Sequence, residues 1–93
     1  MIVSFRDSET ARIWEGERSR RLPPDIQATA LRKLRHLNAA LTLEDLRQPP
    51  GNHLEALRSD RAGQHAITIN RQWRNCFRWT EKGAEDVEIV DYH

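Results

Sequence analysis

The sequence has one cysteine, two lysines and no long apolar run. Cys76 alone rules out an internal disulfide and any C-x-x-C metal or redox motif, which fits a reducing compartment. No apolar stretch approaches the roughly 20 residues needed to span a bilayer. The opening Met1-Ile2-Val3-Ser4-Phe5-Arg6 lacks the long apolar segment and small-residue cleavage site of a secretory signal. A cytoplasmic protein is expected. His36, His53, His65 and His93 have no metal-ligand spacing, and neither a GxGxxG fingerprint nor a P-loop is present. Charge of one sign is also missing: 15 basic and 14 acidic side chains leave +1. That argues against a histone-like polycation and against an acidic disordered tail. What is present suffices to fold: three tryptophans and regularly spaced Ile, Leu and Val, in a length that suits one domain over residues 1–93.

The near-zero sum conceals an uneven distribution. Residues 1–50 carry nine basic and seven acidic side chains, or +2; residues 51–80 carry five Arg against Glu55 and Asp60, or +3. Residues 81–93 carry Lys82 against Glu81, Glu85, Asp86, Glu88 and Asp91, or −4. A basic middle followed by an acidic end can place a cationic surface on a neutral protein. Of the 15 basic residues 13 are Arg, the planar, permanently charged side chain that suits bidentate phosphate contacts.

Hydrophobic periodicity divides the chain. Ile2 to Phe5 reads as a strand with Val3 and Phe5 on one face. Asp7 or Ser8 caps a short helix that buries Ile13 and Trp14 and stops at Gly16. Glu17 to Leu22 is a charged connector. Pro23-Pro24-Asp25 opens the strongest helix, its apolar stripe formed by Ile26, Ala30, Leu34, Leu37 and Leu41, with Arg32, Lys33, Arg35 and His36 lying away from it. Thr42-Leu-Glu-Asp45 fits a loose capping box for a third helical turn, ended by Pro49-Pro50-Gly51. Alternation then replaces the helical period: Leu54 to Leu57 weakly, Gln64 to Asn70 better, then Trp73 to Trp79, and a last strand with Val87, Ile89 and Val90 after a Lys82-Gly83 turn. Helices first and a meander after them give an α+β fold, two N-terminal helices packed on one face of a curved antiparallel sheet.

The strand Trp73 to Trp79 splits its chemistry by face. Trp73, Asn75, Phe77 and Trp79 suit packing under helices, whereas Arg74, Cys76 and Arg78 face the other way. Arg58, Arg61, Arg74 and Arg78 converge if the sheet curves, forming an anion-binding surface. The plainer alternative pairs them with Asp60, Glu55 and the acidic last strand. Cys76 alternates with two Arg, which favours the thiolate, yet no base partner is evident and a structural thiol is the simpler expectation. Asp91, Tyr92 and His93 close the chain with three groups able to move protons or hold hydrogen bonds.

Together these residues are familiar. Leu54-Glu-Ala-Leu-Arg-Ser-Asp-Arg61-Ala-Gly-Gln64, Trp73-Arg74-Asn-Cys-Phe77-Arg78-Trp79 and Val90-Asp-Tyr-His93, with the opening Ile2-Val-Ser-Phe5, resemble the HigB toxins of the RelE/ParE toxin superfamily over essentially the whole chain. The resemblance implies a RelE-like fold and a type II toxin: a ribosome-dependent endoribonuclease that cuts mRNA in the decoding site and inhibits translation. It also implies neutralisation by a helix-turn-helix antitoxin of HigA type, with contact to DNA only through that antitoxin, and chemistry that needs no metal or cofactor. Arg58 and Arg74 match positions that hold the scissile phosphate, Arg61 and Arg78 extend the RNA contact, and Asp91, Tyr92 and His93 match the terminal catalytic cluster, with His93 transferring protons and Tyr92 stacking or orienting. Many relatives read Leu-His-Pro-Leu-Lys-Gly-Asp-Arg where this chain has Leu54-Glu55-Ala56-Leu57-Arg58-Ser59-Asp60-Arg61. Glu55 therefore stands in place of a catalytic His, as a general base or as an ion-pair partner of Arg58. The alternative from another class is a ParE-type toxin, with the same fold, that inhibits DNA gyrase without cutting RNA; a member that only binds an antitoxin is a third.

Overall fold

Asp7 sets the first helix. Its carboxylate accepts from the Thr10 amide at 2.9 Å, and α1 runs Ser8–Trp14 before Gly16 reverses the chain at φ 82°. The molecule is described by a computed structural model over residues 1–92. Pro24–Ala39 forms α2, opened by proline in its first turn. Two 3₁₀ segments, Leu43–Arg47 and Pro50–Asn52, lead into a meander of β1 (Glu55–Ala56), β2 (His65–Thr68), β3 (Trp73–Thr80) and β4 (Gly83–Asp91), antiparallel in the order β1-β2-β3-β4. Both helices lie on one face, so the α+β arrangement is as expected. No helix among the described residues is long and apolar enough to cross a membrane.

The core between the layers takes Ile13 from α1, Ile26, Ala30, Leu34 and Leu37 from α2, and Ile67, Phe77, Val87 and Ile89 from the sheet. Thr10 is fully buried beside it, and its hydroxyl accepts from the Ile89 amide at 2.9 Å, satisfying a strand donor that would otherwise be orphaned. Two expectations for α2 change. The helix ends at Ala39, Ala40 is extended, and Leu41 is 89% exposed; Leu46, 1% exposed, supplies the last core contact from the following 3₁₀ turn. Lys33, expected on the solvent side, is 5% exposed and donates to the side-chain Oδ1 of Asn52 at 2.5 Å. Burial pushes its ammonium below the usual lysine range, with Arg32 adding to the effect. Asn52 in turn donates to the Leu46 and Gln48 carbonyls, so this buried polar link ties the 42–53 segment to α2.

The N-terminal segment also departs from simple alternation. It bridges β4 in parallel, Ile2 beside Ala84 and Phe5 beside Val87, and is not one of the four meander strands. Ile2 and Phe5, three residues apart, both face the core, while Val3 is 40% exposed. The reason lies in β4. Cys76 pairs with Glu88 but Arg78 pairs with Glu85, so three steps of β4 oppose two of β3. The extra residue is a bulge at Asp86, whose φ is 53°. It lets Ala84 and Val87 both turn inward, and the two core residues of the N-terminal segment match that three-residue step.

Candidate functional site

The sheet face away from the helices is built in rows by the strand register. Glu55, Ala66, Cys76 and Glu88 align across β1 to β4, and Thr68, Arg74 and Val90 form the neighbouring row. Leu57, Ala66 and Cys76 are buried there as a small apolar cluster with Val90 against it. Around that cluster polar groups line two depressions. One, of about 510 Å³, is lined by His53, Glu55, Thr68, Asn70, Arg71 and Arg74. The other, of about 470 Å³, is lined by Arg61, Val90, Asp91 and Tyr92.

Arg74 links the two. Its guanidinium donates to the carbonyls of Asn70 at 2.5 Å and Trp73 at 3.2 Å, and its central carbon lies 5.4 Å from the centroid of the Tyr92 ring. Two carbonyls and an aromatic face thus orient the planar fork before any anion arrives. Tyr92 is held by its own amide, which donates to the Gln72 carbonyl at 2.6 Å, extending the pairing of β4 past Asp91. Asp91 sits opposite Trp73 and its carboxylate accepts from the side-chain Nε2 of Gln72 at 3.1 Å. His93, expected to transfer protons, lies outside the described residues.

The other expected residues occupy different settings. Arg61 donates to Glu88 at 2.7 Å and to Gln64 at 3.1 Å. Its bond to Glu88 strengthens its hold on the proton, and Arg6 approaches the same carboxylate at 3.9 Å. For Arg61, then, pairing with the acidic last strand is what occurs. Arg58 opens the 3₁₀ turn Ser59–Arg61, and no Glu55–Arg58 ion pair forms among the described residues. Arg78 is four residues from Arg74 along β3, about 13 Å at the usual strand rise. It lies over Gly63 and lines neither depression.

Several lining residues escaped the sequence reading. His53 lacked metal spacing and preceded the alternating region, yet its left-handed turn at φ 47°, just after the buried Asn52, brings it to the same depression as Glu55. A non-glycine residue held at positive φ is the kind of strain that collects at functional sites. Arg71 and Asn70 fall in what read only as a tight connection. Asn70 accepts from the amides of Gln72 and Trp73, both at 2.8 Å, and so shapes the turn that feeds Arg74.

Cys76 belongs to this face but not to its chemistry. Burial pushes its thiol up to about 11, overriding Arg61 and Arg74, which act in the opposite sense. At pH 8 about 0.1% of such a group is thiolate, against about a quarter of a free cysteine. The native protein is expected to react with a thiol reagent at least about a hundredfold more slowly than after denaturation. Equal labelling rates in the two states would show the site to be open.

An oriented arginine beside an aromatic ring thus stands on the open sheet face, opposite the two helices. Residues 3–93 match the family model for the RelE-like toxin of type II toxin-antitoxin system HigB. The chain belongs to the HigB toxin family. It is 37% identical over 82 residues to "Toxin HigB-1" of Vibrio cholerae serotype O1, covering 87% of this chain and 86% of that protein. It is also 32% identical over 86 residues to an uncharacterized protein of Haemophilus influenzae, covering 91% and 85%. The HigB resemblance drawn from the motifs is therefore shown across the chain. As a toxin of a type II system, this HigB-family member has an antitoxin as its partner.

Proposed function

We propose that this HigB-family toxin, acting as one domain over residues 1–93 in the cytoplasm, is a ribosome-dependent mRNA interferase restrained by a HigA-type antitoxin. The observation that carries the reading is Arg74, held between two carbonyls and the Tyr92 ring in a depression it shares with Glu55. In the proposed reaction the 2′-hydroxyl attacks the adjacent phosphorus and the bond to the 5′-oxygen breaks, leaving a 2′,3′-cyclic phosphate and a 5′-hydroxyl. Glu55 accepts the 2′-proton and His93 supplies one to the departing oxygen, the base and the acid that such a displacement needs. Arg74, with Arg58, stabilises the charge that grows on the phosphoryl oxygens. Tyr92 stacks on a base, Asp91 holds the terminal strand through Gln72, and Arg61 and Arg78 contact the flanking backbone. These roles need neither metal nor cofactor.

Such a shallow, open site binds a flexible strand with little preorganisation, so the ribosome is expected to present the mRNA in reactive geometry. The test is to express the wild-type toxin and a variant lacking His93, then map mRNA ends on translating ribosomes. Ribosome-dependent cuts with 2′,3′-cyclic phosphate ends, lost in the variant, are expected. Growth arrest with intact mRNA and inhibited gyrase would establish the ParE-type alternative instead. Robust cutting of naked RNA would remove the ribosome from the reading.

A further inference from the structure

A second cationic surface lies on the helical layer, remote from Arg74. The connector between α1 and α2 and the outer side of α1 enclose a depression of about 490 Å³ lined by Glu9, Arg12, Arg18, Arg20 and Arg21. The connector is a closed polar knot built on Ser19, which is 2% exposed. The Ser19 hydroxyl donates to Glu9 at 2.7 Å and accepts from the amides of Arg21 at 3.1 Å and Leu22 at 3.2 Å. Gln27 of α2 accepts from the Ser19 amide at 3.0 Å and donates to the carbonyls of Ser19 at 2.8 Å and Leu22 at 2.9 Å. Nine residues, 15–23, join the two helices, and these bonds fix the backbone that carries three arginines.

The charges in the depression are unequal. Arg12 pairs with Glu9 at 3.7 Å and Glu17 at 3.0 Å, so both nearby carboxylates are engaged. Arg18, Arg20 and Arg21 form no ion pair or side-chain hydrogen bond among the described residues. Three exposed, unpaired guanidiniums on a rigid platform concentrate positive potential at one place, which attracts an anion.

The lining identifies the anion's class. It contains no aromatic or aliphatic side chain, whereas protein interfaces centre on apolar and aromatic residues. Sequence-tolerant single-strand binding relies on stacking platforms, also absent from this lining. Arginine alone, with its two-pronged fork, suits phosphate oxygens. We propose that Arg18, Arg20 and Arg21 form a docking site for the phosphodiester backbone of base-paired nucleic acid, separate from the cleavage face. The toxin would then hold a folded polynucleotide on its helical side while the sheet face takes a single strand. This site does not depend on cleavage.

The test measures binding of the full-length protein to a short RNA hairpin and to a DNA hairpin of the same sequence by fluorescence anisotropy, over a series of salt concentrations. Changing Arg18, Arg20 and Arg21 to Gln keeps the polar stems, and the Ser19 knot does not use their side chains. The triple variant is expected to weaken binding and to lower the slope of log K against log salt by about 2–3. Equal loss with both hairpins identifies backbone contact, and loss confined to RNA adds recognition of the 2′-hydroxyl; either supports the site. An unchanged slope with a folded variant overturns it, as does unchanged hairpin binding accompanied by lost affinity for the purified antitoxin, which would assign the patch to a protein partner. Wild-type protein that binds hairpins through these residues but never cuts mRNA would defeat the interferase reading and leave this site standing.

Discussion

Replacing Arg74 by alanine is expected to lower ribosome-dependent mRNA cleavage by about 10²–10³-fold, the range for removing one preorganised donor to transition-state charge. The loss should fall on the chemical step. Arg74 spends one terminal nitrogen on the Asn70 and Trp73 carbonyls, which fixes the plane of the guanidinium and leaves its other donors for phosphate oxygens. A fork already immobilised loses little side-chain entropy when the phosphorane forms, so more of its electrostatic stabilisation appears in the rate. Fold stability should change little, because Arg74 is only half-buried and makes no ion pair among the described residues. Single-turnover cleavage on programmed ribosomes, alongside thermal unfolding, separates the two quantities.

The lysine variant sharpens the same point. Arg74→Lys keeps the charge but loses the planar fork and its stacking on Tyr92, at 5.4 Å in the native protein. Cleavage between the wild-type and alanine values indicates that geometry matters as well as charge. Wild-type cleavage in the alanine variant would remove Arg74 from the chemistry, and with it the observation on which the proposed function rests.

The sequence made the layers legible because α2 and β3 carry strong, clean periods. Ile26, Ala30, Leu34 and Leu37 fall on one helical stripe, and Trp73, Phe77 and Trp79 alternate with Arg74, Cys76 and Arg78. It did not reveal where periods break. The Asp86 bulge shifts β4 by one residue, so neither Ala84 beside Val87 nor Ile2 beside Phe5 could be read by counting in twos. Lys33 looked like a surface residue because its burial depends on Asn52, nineteen positions later in a segment without periodicity. The site was partly legible for the same reason. Arg74 could be placed on the open face by alternation, and Tyr92 lies on a terminal strand. The approach of His53 and Arg71 depends on turns whose geometry no hydrophobic pattern encodes. Of the four arginines, Arg61 and Arg74 both act on Cys76 and flank Tyr92, but Glu88, in register with Cys76, holds Arg61, and Arg78 lies beyond the bulge.

Gly83→Ala should be the most damaging small substitution in the chain. Gly83 begins β4 at φ 128°, a conformation that costs an L-residue about 1–3 kcal/mol. A methyl group there would also overlap the Met1 carbonyl oxygen and lie 3.1 Å from its carbon. That oxygen accepts from the Ala84 amide at 2.9 Å, the first of four backbone bonds joining the N-terminal segment to β4; the others run from Val3 to Ala84, from Val87 to Ser4 and from Arg6 to Val87. Relieving the overlap means moving this segment, at about 1 kcal/mol for each bond lost, and loosening Ile2 and Phe5 from the core. A total of about 3 kcal/mol or more corresponds to a fall of roughly 12–24 °C in the unfolding midpoint of a domain this size. Gly16→Ala is the matched control: φ is 82° there too, but nothing lies within 4 Å of the added carbon, so only the left-handed cost of about 1–2 kcal/mol remains. The difference between the two midpoints isolates the Met1 contact, and equal midpoints would show that the N-terminal segment contributes nothing to holding β4. Because β4 carries Glu88, Val90, Asp91 and Tyr92 to the open face, the Gly83 variant should also lose cleavage in proportion to its unfolded fraction, whereas Arg74→Ala loses it while folded.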